Sequence, residues 1–536
     1  MTPTGSSHIL ERLQLHSSKR DTNQASWWTV AAAVAAAAAT ASTLAVLAVS
    51  MQLQRREKNV AKKSLTRTWS FTSEGMRHGI FPPAVGAPDT IINIALYFDN
   101  SNKLPSTEAL VEQVVLPMLK YERFFLIPTE GGLRQSQTGY APDDLVRTVV
   151  IPTAMNGSDR DGGESILHFN MYQLLSDPLN VRGRNEHLNE LPFWELVRLE
   201  NKVGRSVVML RVHHCLGDGL SLVGVFDTIA TQLDGSRSES SVSKALSSRG
   251  TTTPSFGSVL EAILHALTLG KSKYDDATVF YQQRSNSKLQ YNPERKIELF
   301  PTVPLEFIKE LRKAATTKVP GTTINDMLMC VTSQAIFDYC RATKDDVLAS
   351  KKERLQCRTL LPVSLPRQAA KRPMCNQFSM VSADLSVGCT TILERLQQIH
   401  KTTSFLKTSP RAFIQLWIQN NIVNRLPALV GQQIAHDIFV RHSLVMTNVP
   451  GPENTVTLAG QPVTALQLLF PNVIPQVDLV SYAGNIYGNI IYDPTHLASS
   501  ADNKEMAMAR FYAQALVQLG MQFGVVVPKS IMDAAA

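Results

Sequence analysis

The residues most able to do chemistry lie in the segment HHCLGDG, which contains His213, His214, Asp218 and Gly219. Histidine has an unperturbed pKa of about 6.5, so its neutral form can accept a proton from a hydroxyl group at neutral pH. Adjacent residues leaving a strand point to opposite sides, so one histidine can face a cleft while the other packs. The motif predicts a general base, with Asp218 bracing the loop rather than relaying a proton.

Other readings of this segment are weaker. A lone histidine is more often a packed core residue, but four fixed residues in an HHxxxDG pattern favour chemistry. Two histidines and an aspartate can bind a metal ion, yet no further ligand cluster has suitable spacing, so we predict no metal site. GLSLV at 219–223 lacks the last glycine of a nucleophile elbow, and GKS at 270–272 lacks the first glycine of a P-loop.

A second polar pair, Asn325 and Asp326, lies in the first turn of a helix predicted over 322–342, with Thr322 or Thr323 as its N-cap. The first turn offers unpaired N–H groups and the positive end of the helix dipole to developing negative charge. Asn325 is therefore a candidate polar group near the reacting centre. The alternative is that both residues only cap and brace the helix.

The elements around HHCLGDG should position it between a strand and a helix. Residues 206–212 form a continuous apolar run that predicts a strand buried on both faces. Residues 220–233 place Leu222, Phe226, Ile229 and Leu233 on one helical stripe. The pattern is mixed α/β, with another helix at 106–119 and further strands at 91–99, 442–452, 477–484 and 485–493.

Composition divides the chain into two globular halves. The serine-rich tract at 236–255 has low hydrophobicity and predicts a surface linker. We predict an N-terminal domain at 69–235, a crossover linker at 236–290 and a C-terminal domain at 291–536. Each domain should carry its own core.

The N-terminal region predicts a membrane anchor. Residues 27–50, WWTVAAAVAAAAATASTLAVLAVS, lack charge and are long enough to cross ~30 Å of hydrocarbon as one helix. A tail at 1–26 precedes the span, and a basic linker at 51–68 follows it, which predicts a cytosolic catalytic body. A cleaved signal peptide and an organelle-targeting segment are the alternatives.

The overall composition is that of a folded protein with anionic partners. The chain has 536 residues, 44% hydrophobic and 18% charged, which excludes a disordered chain. Its net charge of +8 suits phosphate groups or acidic lipid, but the basic residues are dispersed, so we predict no nucleic-acid partner. Six scattered cysteines without CxxC pairs favour a reduced, cytosol-facing compartment.

Three segments carry a resemblance to a known family. LPFWELVRLENKVGRSVVMLRVHHCLGDG at 191–219 resembles the centre of the wax ester synthase/diacylglycerol acyltransferase family, within the wider HxxxD acyltransferases. TINDMLMCVTSQAI at 323–336 resembles that family's Asn-Asp helix. TNVPGPENTVTLAGQPV at 447–463, followed by VSYAGNIYGNIIYD, resembles the signature of its C-terminal domain. Phe193 and Thr447 depart from the common leucine and serine, and neither change removes a catalytic group.

The resemblance implies a two-domain α/β fold like that of chloramphenicol acetyltransferase, preceded here by the single transmembrane helix. Acyl-CoA is the implied co-substrate. The acyl-CoA and a lipophilic alcohol would meet at the second histidine, His214. That histidine would deprotonate the alcohol, and the same imidazole would protonate the departing CoA. The product would be a wax ester, a triacylglycerol or both, with no bound cofactor.

For two other residues in these motifs, we favour a structural role over a role in the reaction. Trp194 and Asn448 are candidates for substrate binding or oxyanion support. However, tryptophan commonly anchors a core, and the Pro-Gly-Pro segment at 450–452 fixes a turn.

Alternative functions remain open. The chain could acylate a soluble specialised metabolite, but the Asp-Phe-Gly-Trp-Gly segment of such enzymes is absent. A peptide-synthesis condensation domain also uses HHxxxDG, but no carrier-protein domain accompanies it here. A catalytically silent membrane lipid-binding protein is the alternative from another class. If the protein acts on lipids, we expect it to be located at the endoplasmic reticulum or on lipid droplets.

Overall fold

The computed structural model describes most of the chain after residue 70. The described residues are 71–151 (except 88, 130 and 131), 167–168, 170–175, 177, 179, 190–235 (except 203 and 234), 255–280, 290–365, 374–494, 497 and 504–536. The predicted span at 27–50 and the basic linker at 51–68 lie outside them. Within the described ranges, no helix is both long and apolar enough to cross a membrane.

The strands, in chain order, are β1 Ile91–Phe98, β2 Ile127–Thr129, β3 Gly132–Arg134, β4 Val146–Ile151, β5 Trp194–Asn201, β6 Ser206–His213, β7 Ala230–Gln232, β8 Lys296–Leu299, β9 Val303–Pro304, β10 Arg358–Ser364, β11 Phe378–Asp384, β12 Leu444–Pro450, β13 Val456–Leu458, β14 Gln461–Pro462, β15 Ala465–Leu469, β16 Gln476–Tyr482 and β17 Asn485–Tyr492. The α-helices are α1 Phe71–Arg77, α2 Thr107–Leu110, α3 Leu116–Met118, α4 Glu122–Phe125, α5 Gly219–Ile229, α6 Phe256–Thr268, α7 Leu305–Thr316, α8 Ile324–Ala342, α9 Asp346–Lys351, α10 Ile392–Thr408, α11 Arg411–Asn421, α12 Ala428–Phe439, α13 Met508–Phe523 and α14 Lys529–Ala535.

A five-stranded sheet with the order β15-β1-β6-β5-β4 carries the HHxxxDG motif. Strand β6 runs antiparallel to both β1 and β5, and every one of its residues is buried. The prediction of a strand buried on both faces is confirmed. Because β6 ends at His213, the two histidines lie where the strand leaves the sheet.

A second, larger sheet has the order β11-β10-β12-β16-β17-β8, and β9 also pairs with β17. Strand β12 runs parallel to β10 and β16, and the other pairs are antiparallel. Helices α8 and α13 pack against each other beside this sheet. The larger sheet contributes to two hydrophobic cores: it shares one with helices α8 and α13, and it shares the other, through Val480, Tyr482 and Ile491, with the five-stranded sheet.

Two short strands from the second half of the chain complete sheets in the first half. Strand β15 pairs with β1, and β13 pairs with β7. This exchange changes one prediction: the helix expected over 220–233 ends at Ile229, and Leu233 is 65% exposed. Residues of β7 extend because they pair with Val456–Leu458, a tertiary contact that overrides the helical spacing. A linear division of the chain into domains does not include this exchange.

The helix predicted at 106–119 forms with one irregularity. A π-helical turn at Val111–Val115 separates α2 from α3. Pro117 follows this turn and has no N–H to donate, so the regular α-helical hydrogen bonding is interrupted there. Ser106 caps the segment by accepting a hydrogen bond from the Ala109 N–H.

Candidate active site

His214 is the first residue after β6, and its backbone N–H donates to the Thr90 carbonyl at 2.7 Å. Its ring Nδ1 lies 3.1 Å from Oδ1 of Asn376. The amide Nδ2 of Asn376 in turn donates to the carbonyl of His214 at 2.7 Å, which orients the amide with Oδ1 towards the ring. Because Oδ1 can only accept, this network assigns the hydrogen to Nδ1 and leaves the lone pair on Nε2.

Aromatic rings surround the His214 side chain. The ring of Phe378 lies 5.3 Å from it, and the ring of Phe470 lies 5.9 Å from it in an edge-on arrangement. Burial lowers the pKa of His214 below its usual value, although the charge of Asp218 and the hydrogen bond with Asn376 raise it in part. The imidazole is therefore neutral at physiological pH, as a general base requires.

His213 faces the opposite, packed side. It is 3% exposed, its Nδ1 accepts a hydrogen bond from the Cys215 N–H at 3.1 Å, and its ring lies 5.5 Å from that of Phe193. Burial lowers the pKa of His213 to about 3. The two adjacent histidines therefore contact different residues, and their different roles stay a prediction.

Asp218 is the N-cap of α5. Its Oδ1 accepts from the backbone N–H and the hydroxyl of Ser221 at 2.9 and 3.0 Å, and its Oδ2 accepts from the Gln377 N–H at 3.0 Å. The carboxylate thus ties the loop to the chain segment that supplies Asn376. This placement matches the predicted brace.

The two glycines of the loop differ in their surroundings. A Cβ atom at Gly219 would lie 3.9 Å from Val449, which is an ordinary contact. At Gly217 a Cβ atom would lie 2.9 Å from Met374 and 3.0 Å from Ser221. Position 217, which the sequence did not single out, is therefore the tighter of the two, and a side chain there would have to displace the terminal methyl group of Met374.

Asn325 and Asn448 are hydrogen-bonded to each other, with Nδ2 of Asn448 donating to Oδ1 of Asn325 at 2.6 Å. Both side chains are exposed. Asn448 precedes Val449, and a Cβ atom at Gly219 would lie 3.9 Å from the Val449 side chain, so strand β12 passes beside the HHxxxDG loop. The bond uses the carbonyl oxygen of Asn325, so its NH₂ group remains a donor for other partners.

Asp326 is buried and braces the start of α8. Thr323 is the N-cap and forms a reciprocal capping box with Asp326. The Asp326 carboxylate also accepts from the Thr403 hydroxyl at 2.6 Å and contacts Nδ1 of His400 at 2.9 Å. Burial by itself raises the pKa of Asp326, but these hydrogen bonds outweigh it and hold the pKa below its usual value.

Trp194 has the structural placement that we preferred. Its side chain is fully buried, and its Nε1–H donates to the Phe124 carbonyl at 2.8 Å. In the Pro-Gly-Pro segment, a Cβ atom at Gly451 would lie 2.4 Å from the Ser481 carbonyl oxygen. Neither the Trp194 hydrogen bond nor the close approach at Gly451 involves an atom of the His214 ring.

Sequence reasoning missed Asn376 and a clamp behind the histidine loop. The guanidinium Nη1 of Arg123 donates to the carbonyls of Cys215 and Leu216, both at 3.1 Å, and to the Ser73 hydroxyl at 2.9 Å. Asn376 Nδ2 donates to the same hydroxyl at 3.2 Å. These residues are far apart in the chain, and no local pattern marks them. In the described part of the chain, no group of three or more His, Cys, Asp or Glu side chains could hold a metal ion.

Comparison with known proteins gives one family-model match and several distant relatives. Residues 374–507 match the model of the WS/DGAT C-terminal domain. Wax ester synthase/diacylglycerol acyltransferase 7 of Arabidopsis thaliana is 21% identical over 70% of this chain and 84% of its own length. A probable diacylglycerol O-acyltransferase of Mycobacterium tuberculosis is 26% identical over 66% of this chain and 77% of its own length. Residues 374–507 therefore match this family's C-terminal domain, and the chain as a whole is similar to wax ester synthase/diacylglycerol acyltransferases.

The fold of the family has also been seen directly. The structure of a wax ester synthase/diacylglycerol acyltransferase from Marinobacter aquaeolei VT8 superposes with a TM-score of 0.54 and 15% identity, covering 86% of this chain and all of that one. This likeness establishes a two-domain α/β acyltransferase fold. The family match includes Asn448 and the three side chains described beside the His214 ring, which are Asn376, Phe378 and Phe470.

Proposed function

We propose that this protein transfers a fatty acyl group from acyl-CoA to a lipophilic alcohol, a long-chain alcohol or diacylglycerol, with His214 as the general base. The observation that carries the proposal is the hydrogen bond between His214 Nδ1 and Asn376, because it leaves Nε2 as the proton acceptor. The relatives from Arabidopsis thaliana and Mycobacterium tuberculosis are named as acyltransferases that make wax esters or acylate diacylglycerol, which supports this proposal.

The reaction follows from this protonation state. The alcohol O–H donates its hydrogen to Nε2 of His214 as its oxygen attacks the thioester carbonyl. The tetrahedral oxyanion needs hydrogen-bond donors, and the NH₂ group of Asn325, at the start of α8, is our candidate. When the intermediate collapses, the carbon–sulfur bond breaks and the imidazolium returns its proton to the CoA thiolate. Asp218 positions the loop and takes no proton.

The lipophilic substrate class is supported by the rings beside the base. Phe378 and Phe470 give His214 an apolar surround, which suits an alkyl chain. We also propose that residues 27–50 anchor the protein in a membrane with the catalytic body in the cytosol, where acyl-CoA is available. A glycosylation reporter at the C-terminus should remain unmodified, and efficient modification would place the body in the lumen.

The test of function is an assay of the purified full chain with palmitoyl-CoA, offered hexadecanol and diacylglycerol in parallel, with water as the control. We expect CoA release that depends on the alcohol, and an ester product identified by mass spectrometry. His214→Ala should lower kcat by ~10² to 10⁴ with an unchanged melting temperature, whereas His213→Ala should cost less activity. Normal turnover in His214→Ala would exclude the mechanism, and no ester from either alcohol would exclude the substrate class.

A further inference from the structure

Three helices, α6, α11 and α12, carry large apolar side chains that the rest of the protein leaves uncovered. Within α6, which is described in full and reads FGSVLEAILHALT, Ala262 is the one buried residue. The exposed fractions of Phe413, Trp417 and Leu429 are 61%, 52% and 65%. We call the following six exposed residues the apolar patch: Leu264, Leu267, Phe413, Trp417, Leu429 and Val430.

The three helices adjoin one another. Glu261 of α6 is paired with Arg411 of α11, with Nε 3.1 Å from Oε1. A Cβ atom at Gly270, just after α6, would lie 3.5 Å from Asp437 of α12. In α6 and α11, residues three or four positions apart share a helix face, which places Leu264 with Leu267 and Phe413 with Trp417. The patch therefore extends over neighbouring helices rather than consisting of scattered single residues.

Charge is sparse on these helices, and the charged side chains of α6 and α11 are paired with each other. The one carboxylate of α6, Glu261, is the partner of Arg411, and Arg411 is the one lysine or arginine of α11. Asp437 of α12 lies 3.3 Å from Nδ1 of His436. A broad apolar surface with little net charge is typical of a site that contacts another apolar phase.

The position of α1, where the described part of the chain begins, indicates what contacts the apolar patch. Helix α1 starts at Phe71 and is held against α11 by a hydrogen bond from the Thr72 hydroxyl to Asn420. Gln432 of α12 donates to the carbonyls of His78 and Gly79, both at 3.2 Å. The residues that precede Phe71 therefore join the folded body beside the helices of the apolar patch. Those residues include the proposed span at 27–50, connected through residues 51–70.

We infer that the apolar patch docks on the surface of a phospholipid bilayer, as a second contact in addition to the proposed span. Residues 51–70 link the proposed span to α1, and the contacts of Thr72 and of residues 78–79 place the start of the body beside α11 and α12. Apolar helix faces that carry tryptophan and leucine lie at the level of the lipid headgroups, with their polar faces towards water. The inference concerns residues that take no part in the proposed chemistry, and its test does not depend on catalysis.

The test places the full chain in phosphatidylcholine vesicles and measures quenching of Trp417 by lipids brominated on their acyl chains. Trp27→Phe and Trp28→Phe first remove the tryptophans of the proposed span. The signal of Trp417 is then the difference between this chain and one that also carries Trp417→Phe. We expect brominated lipid to reduce the Trp417 signal at least twofold. As the matched control, Val526→Trp in the chain carrying Trp417→Phe should be unquenched, because Val526 is 88% exposed and lies outside the patch.

Two results would overturn the inference. If Trp417 is quenched no more than the control tryptophan and is accessible to acrylamide, the patch faces water. If it is protected from acrylamide but not quenched by brominated lipid, then residues 1–70 or a second copy of the chain cover it. Phe413→Ser with Leu429→Ser should reduce the quenching of Trp417 at least twofold with an unchanged melting temperature, because both side chains are exposed.

Discussion

Asn376 Oδ1 lies 3.1 Å from Nδ1 of His214, although the two residues are 162 positions apart in the chain. The same amide holds the His214 carbonyl through Nδ2, so one side chain fixes both the ring and the backbone of the proposed base. Asn376 is therefore a positioning residue in the proposed mechanism: it selects which imidazole nitrogen carries the hydrogen and which accepts the proton.

Asn376→Ala should lower kcat by about 10²-fold with little change in KM, because the imidazole loses its orientation while the binding surfaces remain. Asn93→Ala is the matched control. Asn93 is also a fully buried asparagine, but it bonds backbone carbonyls and Arg211 within the N-terminal sheet. It should lose stability and retain kcat. A folded Asn376→Ala enzyme with normal kcat would contradict the positioning role.

The pH dependence of kcat/KM should have an acid limb with an apparent pKa below 6.5. Burial lowers the pKa of His214, so the free enzyme must reach a more acidic pH before the base is protonated and lost. At pH values above this acid limb, kcat/KM should no longer depend on the ionisation of His214. Rates measured with saturating and limiting palmitoyl-CoA from pH 5 to 9 would check this, and an acid limb centred above pH 7 would contradict it.

Asp218→Ala should lower both stability and kcat. It removes the N-cap of α5 and the bond to Gln377, for a loss of about 1–3 kcal/mol in the free energy of unfolding. Thr391→Ala removes the N-cap of α10 in the same way, by deleting the acceptor for the Glu394 N–H. That control should cost about 1 kcal/mol and leave kcat unchanged. Urea titrations and initial rates separate the two effects, and equal kcat values would show that the loop needs no brace.

Asn325 and Asn448 should be coupled in catalysis. If the Asn325 NH₂ group stabilises the oxyanion and Asn448 orients it, Asn325→Ala should lower kcat by about 10²-fold, and Asn448→Ala by less. The double variant should then be no slower than Asn325→Ala alone. If the losses of the two single variants multiply in the double variant, the two residues act independently.

The stability of the protein should fall as the pH drops below 6.5. Burial lowers the pKa of His213 and of His442 to about 3, so below 6.5 the unfolded chain binds more protons than the folded one. Each histidine should cost about 2 kcal/mol of unfolding free energy by pH 5. His213→Gln should remove one such contribution, which makes the pH dependence shallower. An unchanged slope between pH 6.5 and 5 would show that His213 titrates normally.

The sequence predicted those parts of the fold that local patterns determine. The apolar run at 206–212 corresponds to Ser206–His213, and the threonine before the Asn-Asp helix is its N-cap at Thr323. Both depend on residues within a few positions of each other. The predicted span at 27–50 and its orientation stay predictions.

The parts of the site that the sequence did not reveal depend on contacts between distant segments. Asn376 lies two residues before β11, in the short segment MCNQF, which has no spacing that marks it as a partner of His214. Phe470 reaches the base because it directly follows β15, which pairs with β1. Similarly, β7 is extended only because β13 lies beside it. Such pairings are set by the assembled sheets, and one sequence alone does not specify them.

The pairing of β15 with β1 also determines the order in which this protein can fold on the ribosome. Strand β1 is synthesised early, but Ala465–Leu469, which covers one of its edges, emerges only after several hundred further residues. At about 5–20 residues per second, that edge stays unpaired for some tens of seconds in the nascent chain. An open strand edge is a template for wrong pairing between chains. A fragment that ends before residue 465 would keep this edge of β1 open, and it should aggregate more readily than the full chain.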